Sequence, residues 1–246
     1  MTSLHLVVPC YRESARLPVF LPDLCAAMEA IPGARVLVVD DGSGPVEAAA
    51  VRALVDGLRS RHACLRPLLE LPENVGKGGA VHAGWAAHEG ETWLGFVDAD
   101  GSCSAAEVAR LAGLAAAESE PLPALFASRV KLLGRRVERL LKRHLLGRIF
   151  ATLVSELLSI PVYDSQCGLK LVPRAAYEAV AARLSVKGFA FDVELLAALI
   201  DGGCVVREVP IDWHEVAGGK VRLLRDSWRM ARDVRRIRRR RGQGWK

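Results

Sequence analysis

Acidic residues and glycines recur where apolar runs of the chain stop. Leu4–Pro9 runs into Pro9-Cys10-Tyr11-Arg12-Glu13, the VLVVD run of Arg35–Asp40 stops at Asp40-Asp41-Gly42-Ser43, and Trp93–Asp98 stops at Asp98-Ala99-Asp100-Gly101. Carboxylates two residues apart in an extended or turn segment can both reach one hard cation, and Mg²⁺ takes one or two carboxylates plus phosphates and waters. Asp98 and Asp100 are therefore the expected metal ligands, with Ser102 able to add a weak oxygen. The Tyr11 ring can stack on a base, and Glu13, Asp40, Asp41 and Asp98 can hydrogen-bond a base N–H or ribose hydroxyls. Each segment alone also reads as a solvated turn. Three of them facing one crevice read as a nucleotide site.

Asn74-Val75-Gly76-Lys77-Gly78-Gly79 opens a helix. Glycines let a backbone approach a phosphate, and a helix N-terminus favours an anion. The segment matches neither common phosphate loop, and a tight strand-to-helix turn is the plain alternative. Lys77, with Lys220 further on, supplies the cation that a departing diphosphate needs. Asp164, in Asp164-Ser165-Gln166-Cys167-Gly168, reads either as a carboxylate that braces a ligand-binding arginine or a ligand hydroxyl, or as a turn and capping residue. Asp192 and Glu194 read either as ligand-facing acids or as an acid pair at a helix start. His214 reads as structural more readily than as a metal ligand.

The elements that position these residues alternate. Strands are expected at Leu4–Pro9, Arg35–Asp40, Leu65–Leu71, Trp93–Asp98 and Ala124–Ser128. Helices are expected at Leu17–Ile31, Val46–Arg59, Gly78–His88 and Ala105–Ala117. That rhythm specifies an α/β protein with a mainly parallel sheet, whose ligands bind beyond the carboxyl ends of the strands. The second half predicts one long amphipathic helix over Arg135–Leu158, a helix over Phe191–Ile200, a strand over Val205–Val209 and a basic helix over Val221–Arg241. One domain is expected over 1–246, with the nucleotide site in 1–130, the long amphipathic helix, expected to lie at an interface, in 131–219, and a basic helical tail at 220–246.

Charge is uneven. The net charge is +6, yet residues 220–246 carry net +10 and residues 131–149 net +6, leaving net −10 on the rest. An acidic body with two basic segments points to an anionic partner bound at one place. No run approaches 18 apolar residues, so no spanning helix is expected. The start is not signal-like, and six scattered cysteines without a CxxC pair suit reduced thiols. The protein is therefore expected in the cytoplasm, peripheral on the inner face of a membrane, held by anionic lipid. A non-enzymatic nucleic-acid-binding role is the alternative for the basic tail, but no recognition motif accompanies it.

The ordered segments PCYRE, VVDDGS, NVGKGGA, VDADGS, ASR, DSQCGLK, FAFDVELL and W-x-E-x-x-G-x-K resemble the inverting family 2 glycosyltransferases, and among them the dolichyl- and polyprenyl-phosphate β-glucosyltransferases and related mannosyltransferases. The resemblance implies a GT-A (Rossmann-like) fold with a C-terminal amphipathic helical part. It also implies a nucleotide-diphosphate sugar donor, with a UDP-sugar favoured, Mg²⁺ or Mn²⁺, and a polyprenyl-phosphate acceptor. By motif, Pro9, Tyr11, Glu13 and Asp41 fall in the nucleotide pocket, Lys77 beside the donor, and Asp98 and Asp100 on ribose and metal. Arg129 faces the acceptor phosphate, Arg143 matches a second such arginine, and Asp100, Arg129, Arg143 and Asp164 are the expected catalytic set. Asp192, Glu194 and Lys220 are the further acceptor-side candidates. The expected reaction is transfer of glucose from UDP-glucose, with GDP-mannose as the near alternative and a soluble glycan or small acceptor as the more distant one. A lipid phosphate is a dianion near neutrality, so it needs no strong base. It needs an arginine fork to hold it in line with the anomeric carbon. A single displacement there inverts that carbon.

Overall fold

The computed structural model describes residues 3–138, 151–152, 154–216 and 223–245. Arg143 and Lys220 lie outside them, as does most of the basic stretch 139–150. The first half alternates as β1 (Leu4–Cys10), α1 (Leu17–Glu29), β2 (Ala34–Asp40), α2 (Pro45–Arg59), β3 (Leu69–Glu70), α3 (Lys77–Trp85), β4 (Trp93–Val97), α4 (Ala105–Ala117) and β5 (Ala124–Ser128). The second half contributes β6 (Val137–Glu138), β7 (Leu169–Pro173), α5 (Arg174–Val180), α6 (Phe191–Asp201), β8 (Val206–Pro210), β9 (Trp213–His214) and α7 (Leu223–Gly242).

Seven strands form one sheet in the order β3-β2-β1-β4-β7-β5-β8. All neighbours are parallel except β7, which runs antiparallel between β4 and β5. The side-chain alternation of a strand explains the two cores. Leu4, Leu6 and Val8 of β1 join Val36 and Val38 of β2 in one cluster, packed with Leu21, Leu24, Val108 and Leu111 of α1 and α4. Val7, Leu37 and Val39 join the opposite cluster with Phe96, Phe126, Phe191 and Leu195. The expected strand Leu65–Leu71 is cut to β3 because Pro67 has no N–H to give the ladder. Only a single bridge, Val36 to Leu65, precedes it.

The largest correction concerns Arg135–Leu158. Its start is not helical: Gly134, at φ +81, turns the chain, and Val137–Glu138 pairs in parallel with Trp213–His214. The described end, residues 154–158, is helical, but Val154 and Leu158 face the protein core and not solvent. Helix α7 follows its expected limits closely. It buries Val234 and Ile237 and half-buries Met230, a stripe at helical spacing, and exposes Arg229, Arg232, Arg235, Arg236, Arg238 and Arg239. Its last turn is tied down: Arg241 donates to both carboxylate oxygens of Asp201 at 2.7 and 2.6 Å, and Trp245 Nε1 reaches the same group at 3.0 Å.

Candidate active site

The carboxyl ends of β1, β2, β4 and β5 meet at one edge, and the antiparallel β7 begins there. Strand β4 delivers Asp98 and Asp100. The backbone N–H of Asp98 donates to the Gly168 carbonyl at 2.8 Å. Gly168 leaves room for this contact: a Cβ there would lie 2.3 Å from Asp98 Oδ2, so any larger residue must displace the Asp98 carboxylate. Asp98 Oδ1 pairs with Lys77 Nζ at 2.6 Å. Burial would lower the Lys77 pKa, but the carboxylates of Asp98, Asp192 and Asp100 outweigh it and raise the value. Asp100 Oδ1 accepts from the Ser102 N–H at 2.9 Å. Burial, then the charge of Asp98, raises the Asp100 pKa.

Two hard oxygen donors that resist sharing negative charge suit a divalent cation of the Mg²⁺ type. Among the described residues no group of three or more His, Cys, Asp or Glu could hold a metal. The pair therefore fits a cation that takes its remaining ligands from phosphates and water. Such an ion would neutralise the charge of a leaving diphosphate.

The ends of β1 and β2 hold one another. Asp40 Oδ2 accepts from the Ser43 N–H at 3.0 Å, and Ser43 Oγ accepts from the Arg12 N–H at 2.8 Å. Asp40 Oδ1 is buried and has no partner among the described residues, as an acceptor awaiting a base or ribose donor would be. Pro9 lies in β1 opposite Val39, and Tyr11 carries the Arg12 guanidinium 5.1 Å over its ring. Asp41 is engaged by the neighbouring loop. Its carboxylate takes the N–H of Val75 at 2.7 Å, the N–H of Gly76 at 3.0 Å and the Asn74 amide at 2.9 Å. It thereby clamps the glycine loop that starts α3. Gly42, at φ +63, lets the two loops touch, since a Cβ there would meet the Glu73 backbone at 2.3 Å. Glu13 is likewise engaged by protein. Arg16 takes both of its oxygens, at 2.7 and 2.5 Å, and then points toward Asp100 Oδ2 at 3.9 Å.

Arg129 leaves the end of β5 and meets Asp164. Nε donates to Oδ2 at 2.6 Å, Nη2 to Oδ1 at 2.7 Å, and the backbone N–H to Oδ2 at 3.0 Å. The guanidinium lies 5.0 Å over the Trp213 ring. Asp164 is itself oriented, its N–H donating to Glu208 at 2.8 Å. Of the readings open for Asp164, the arginine brace is the one this geometry supports. In the sequence, Trp213 has no role beyond its place in a motif, and Glu208 was not singled out. The tryptophan of W-x-E was the one available signal. The segment after it also braces the metal loop, since the N–H of His214 donates to the Ser102 carbonyl at 3.0 Å. His214 Nδ1 pairs with Glu138 at 2.6 Å, on the surface.

Asp192 lies in the site's interior, paired with Lys170 at 2.8 Å, and burial raises its pKa. Glu194 does not serve as expected. Its carboxylate accepts from the Ser185 N–H and the Val186 N–H, both at 2.7 Å, and from Arg240 at 2.8 Å. One helical residue pair has thus been divided: Asp192 turns toward Lys170, and Glu194 fastens α7 to the body.

The model of the family "Glycosyl transferase family 2" matches residues 5–179. The chain belongs to that family. The match covers β1 through most of α5, and so includes every described site residue up to Lys170. The dolichyl-phosphate beta-glucosyltransferase of Saccharomyces cerevisiae is 31% identical over 244 residues, 94% of this chain and 72% of the relative. That of Homo sapiens is 32% identical over 247 residues, 96% of this chain and 74% of the relative. Among solved structures, glucosyl-3-phosphoglycerate synthase from Mycobacterium tuberculosis, in complex with Mn²⁺, UDP and phosphoglyceric acid, superposes with a TM-score of 0.67 at 16% identity. That alignment covers 96% of this chain and 77% of that one. The glycosyltransferase is therefore built on the expected GT-A fold.

Proposed function

We propose that this family 2 glycosyltransferase moves glucose from UDP-glucose to a polyprenyl phosphate such as dolichyl phosphate, inverting the anomeric carbon at a membrane surface. The observation that carries the reading is an arginine held as a fork at the same edge of the sheet as the Asp98 and Asp100 carboxylates, with one strand, β7, between them. Arg129 is braced by Asp164 and backed by Trp213, and the charge of Asp98 acts on it. Burial would weaken such a cation, yet Asp164 more than compensates, so Arg129 stays charged. An arginine so fixed presents its remaining N–H donors to a phosphate without reorganising. The named activity of the yeast and human relatives agrees with a lipid phosphate acceptor and glucose. Crystals of the mycobacterial synthase with UDP and either Mn²⁺ or Mg²⁺ agree with a divalent ion at Asp98 and Asp100.

Placement at a membrane draws on the surface. Leu132 and Leu133, three and four residues beyond Arg129, are 50% and 105% exposed, beside the exposed Lys131 and Arg136. Trp228 is 69% exposed at the other basic element, α7. Apolar side chains flanked by cations suit the boundary between acyl chains and anionic headgroups. Among the described residues no helix is long and apolar enough to cross a membrane. Co-sedimentation with vesicles tests the placement. Recovery should be higher on anionic than on neutral vesicles, and should fall with salt and on Leu132→Ser/Leu133→Ser. Equal recovery on both vesicle types would remove the electrostatic anchor.

A further inference from the structure

A lysine with no solvent exposure stands in the middle of the central sheet. Lys170 lies on β7 with Phe96 of β4 and Phe126 of β5 directly beside it in register. Its Nζ sits 5.3 and 5.1 Å from the two ring centroids. The ammonium donates to the Cys167 carbonyl at 2.7 Å and pairs with Asp192 Oδ1 at 2.8 Å. Lysine is almost never fully buried unless paired, and an apolar side chain would fill this slot with less desolvation. The gain is therefore sought in geometry.

Both partners of Lys170 lead to the donor site. The Cys167 carbonyl belongs to the turn whose next residue, Gly168, accepts the Asp98 N–H and lies under the Asp98 carboxylate. Lys77 shares the Phe96 ring with Lys170, its Nζ 5.0 Å from that centroid and 5.9 Å from that of Phe191, the residue before Asp192, and Lys77 in turn pairs with Asp98. We propose that Lys170 is a positioning residue for the donor site: one buried cation that sets Asp98 from below, through the Cys167–Gly168 turn, and Lys77 from the side, by fixing Asp192 and with it the Phe191 and Phe96 rings against which Lys77 lies. It touches neither metal nor sugar. Asp192 is correspondingly an internal link, not a contact of the acceptor phosphate. The inference deepens the proposed function and rests on its assignment of Asp98 to the metal and nucleotide.

Binding of Mn²⁺ with UDP, measured on the full chain by fluorescence or calorimetry, tests it without any acceptor. A lysine of purely structural value can be replaced together with its counter-ion, because removing both charges relieves the burial that removing one creates. Lys170→Met/Asp192→Asn should therefore recover a melting temperature near that of the wild type, while its affinity for Mn²⁺–UDP falls at least about tenfold. Lys170→Gln, whose amide can still hold the Cys167 carbonyl, should fall between the two. A folded variant of either kind that binds Mn²⁺–UDP within twofold of the wild type overturns the proposal. Should neither fold, hydrogen exchange on the wild type decides. Adding Mn²⁺–UDP should slow exchange at residues 167–170 together with 98–102, and protection confined to 98–102 overturns it. A wild-type protein that binds no Mn²⁺–UDP overturns the functional reading itself, a different and recognisable failure.

Discussion

Replacing Asp164 with Asn isolates the brace of Arg129, the arginine proposed to hold the acceptor phosphate. The substitution keeps shape and one acceptor oxygen but removes the charge that faces Arg129 through contacts of 2.6 and 2.7 Å. The side chains are only 15% and 11% exposed, so solvent replaces little of the lost interaction. Removing one partner of a fully buried pair costs about 3–5 kcal/mol, and hydrogen bonds to charged groups contribute about 1.5–3 kcal/mol. With one oxygen retained, about 2–3 kcal/mol is expected, or roughly 30–150-fold in an equilibrium or rate ratio. Part of it appears as lower resistance to urea. The rest should appear as a loss of kcat/KM for the lipid phosphate, with the KM for the nucleotide-sugar unchanged within about threefold. Initial rates with each substrate varied at saturation of the other separate the two. If the donor KM rises by the full factor while the acceptor dependence is untouched, Arg129 serves the pyrophosphate and its assignment fails.

Other consequences follow from the same geometry. Asp100→Ala should nearly abolish transfer and remove its stimulation by Mn²⁺, since loss of a metal contact costs several kcal/mol of charge stabilisation. Full turnover of that variant in excess EDTA would refute the metal assignment. Asp100 has a folded-state pKa above its unfolded value, because of burial and Asp98. Ionising it therefore opposes folding, and stability drops as pH rises from the ordinary carboxylate range through the raised value. In EDTA, Asp100→Asn should melt higher than the wild type at neutral pH, and calorimetry that finds it lower would contradict the like-charge reading. Gly168→Ala should push a Cβ into the Asp98 carboxylate, costing about 1–3 kcal/mol and weakening Mn²⁺ binding, which a titration followed by tryptophan fluorescence measures. Reversing Arg235, Arg236, Arg238 and Arg239 to Glu should release the protein from anionic vesicles and spare activity on a detergent-solubilised acceptor. Arg240 and Arg241 must stay, since they fasten α7 to Glu194 and Asp201.

The parts of the site that are legible in the sequence are those fixed by local pattern. A β-branched run that stops at acids is a parallel strand with its carboxyl end in a crevice, and Asp40, Asp98 and Asp100 stand where that pattern puts them. The glycine loop and its helix were readable for the same reason. What escaped depends on contacts far apart in the chain. Strand β7 hid because Lys170 interrupts its apolar run, and a buried lysine looks like a surface residue until Phe96, Phe126 and Asp192 are seen around it. The two-residue strands β6 and β9 carry no periodicity to read, which is why Val137 was assigned to a helix. Carboxylate type told where acids lie but not whom they serve. Asp41, Glu13 and Glu194 hold a loop, an arginine and a helix, respectively, and sequence spacing carries no sign of those partners.

Whether a lipid phosphate receives the sugar is read directly from the labelled product. Purified protein incubated with UDP-[¹⁴C]glucose, Mn²⁺ and dolichyl phosphate in detergent should give label that partitions into organic solvent, released by mild acid as glucose, with the lipid-linked carbon in the β configuration. The same label should be missing with Arg129→Ala and with dolichol in place of its phosphate. Label that stays in the aqueous phase as free glucose or a soluble glycoside, with none in the lipid, would contradict the account.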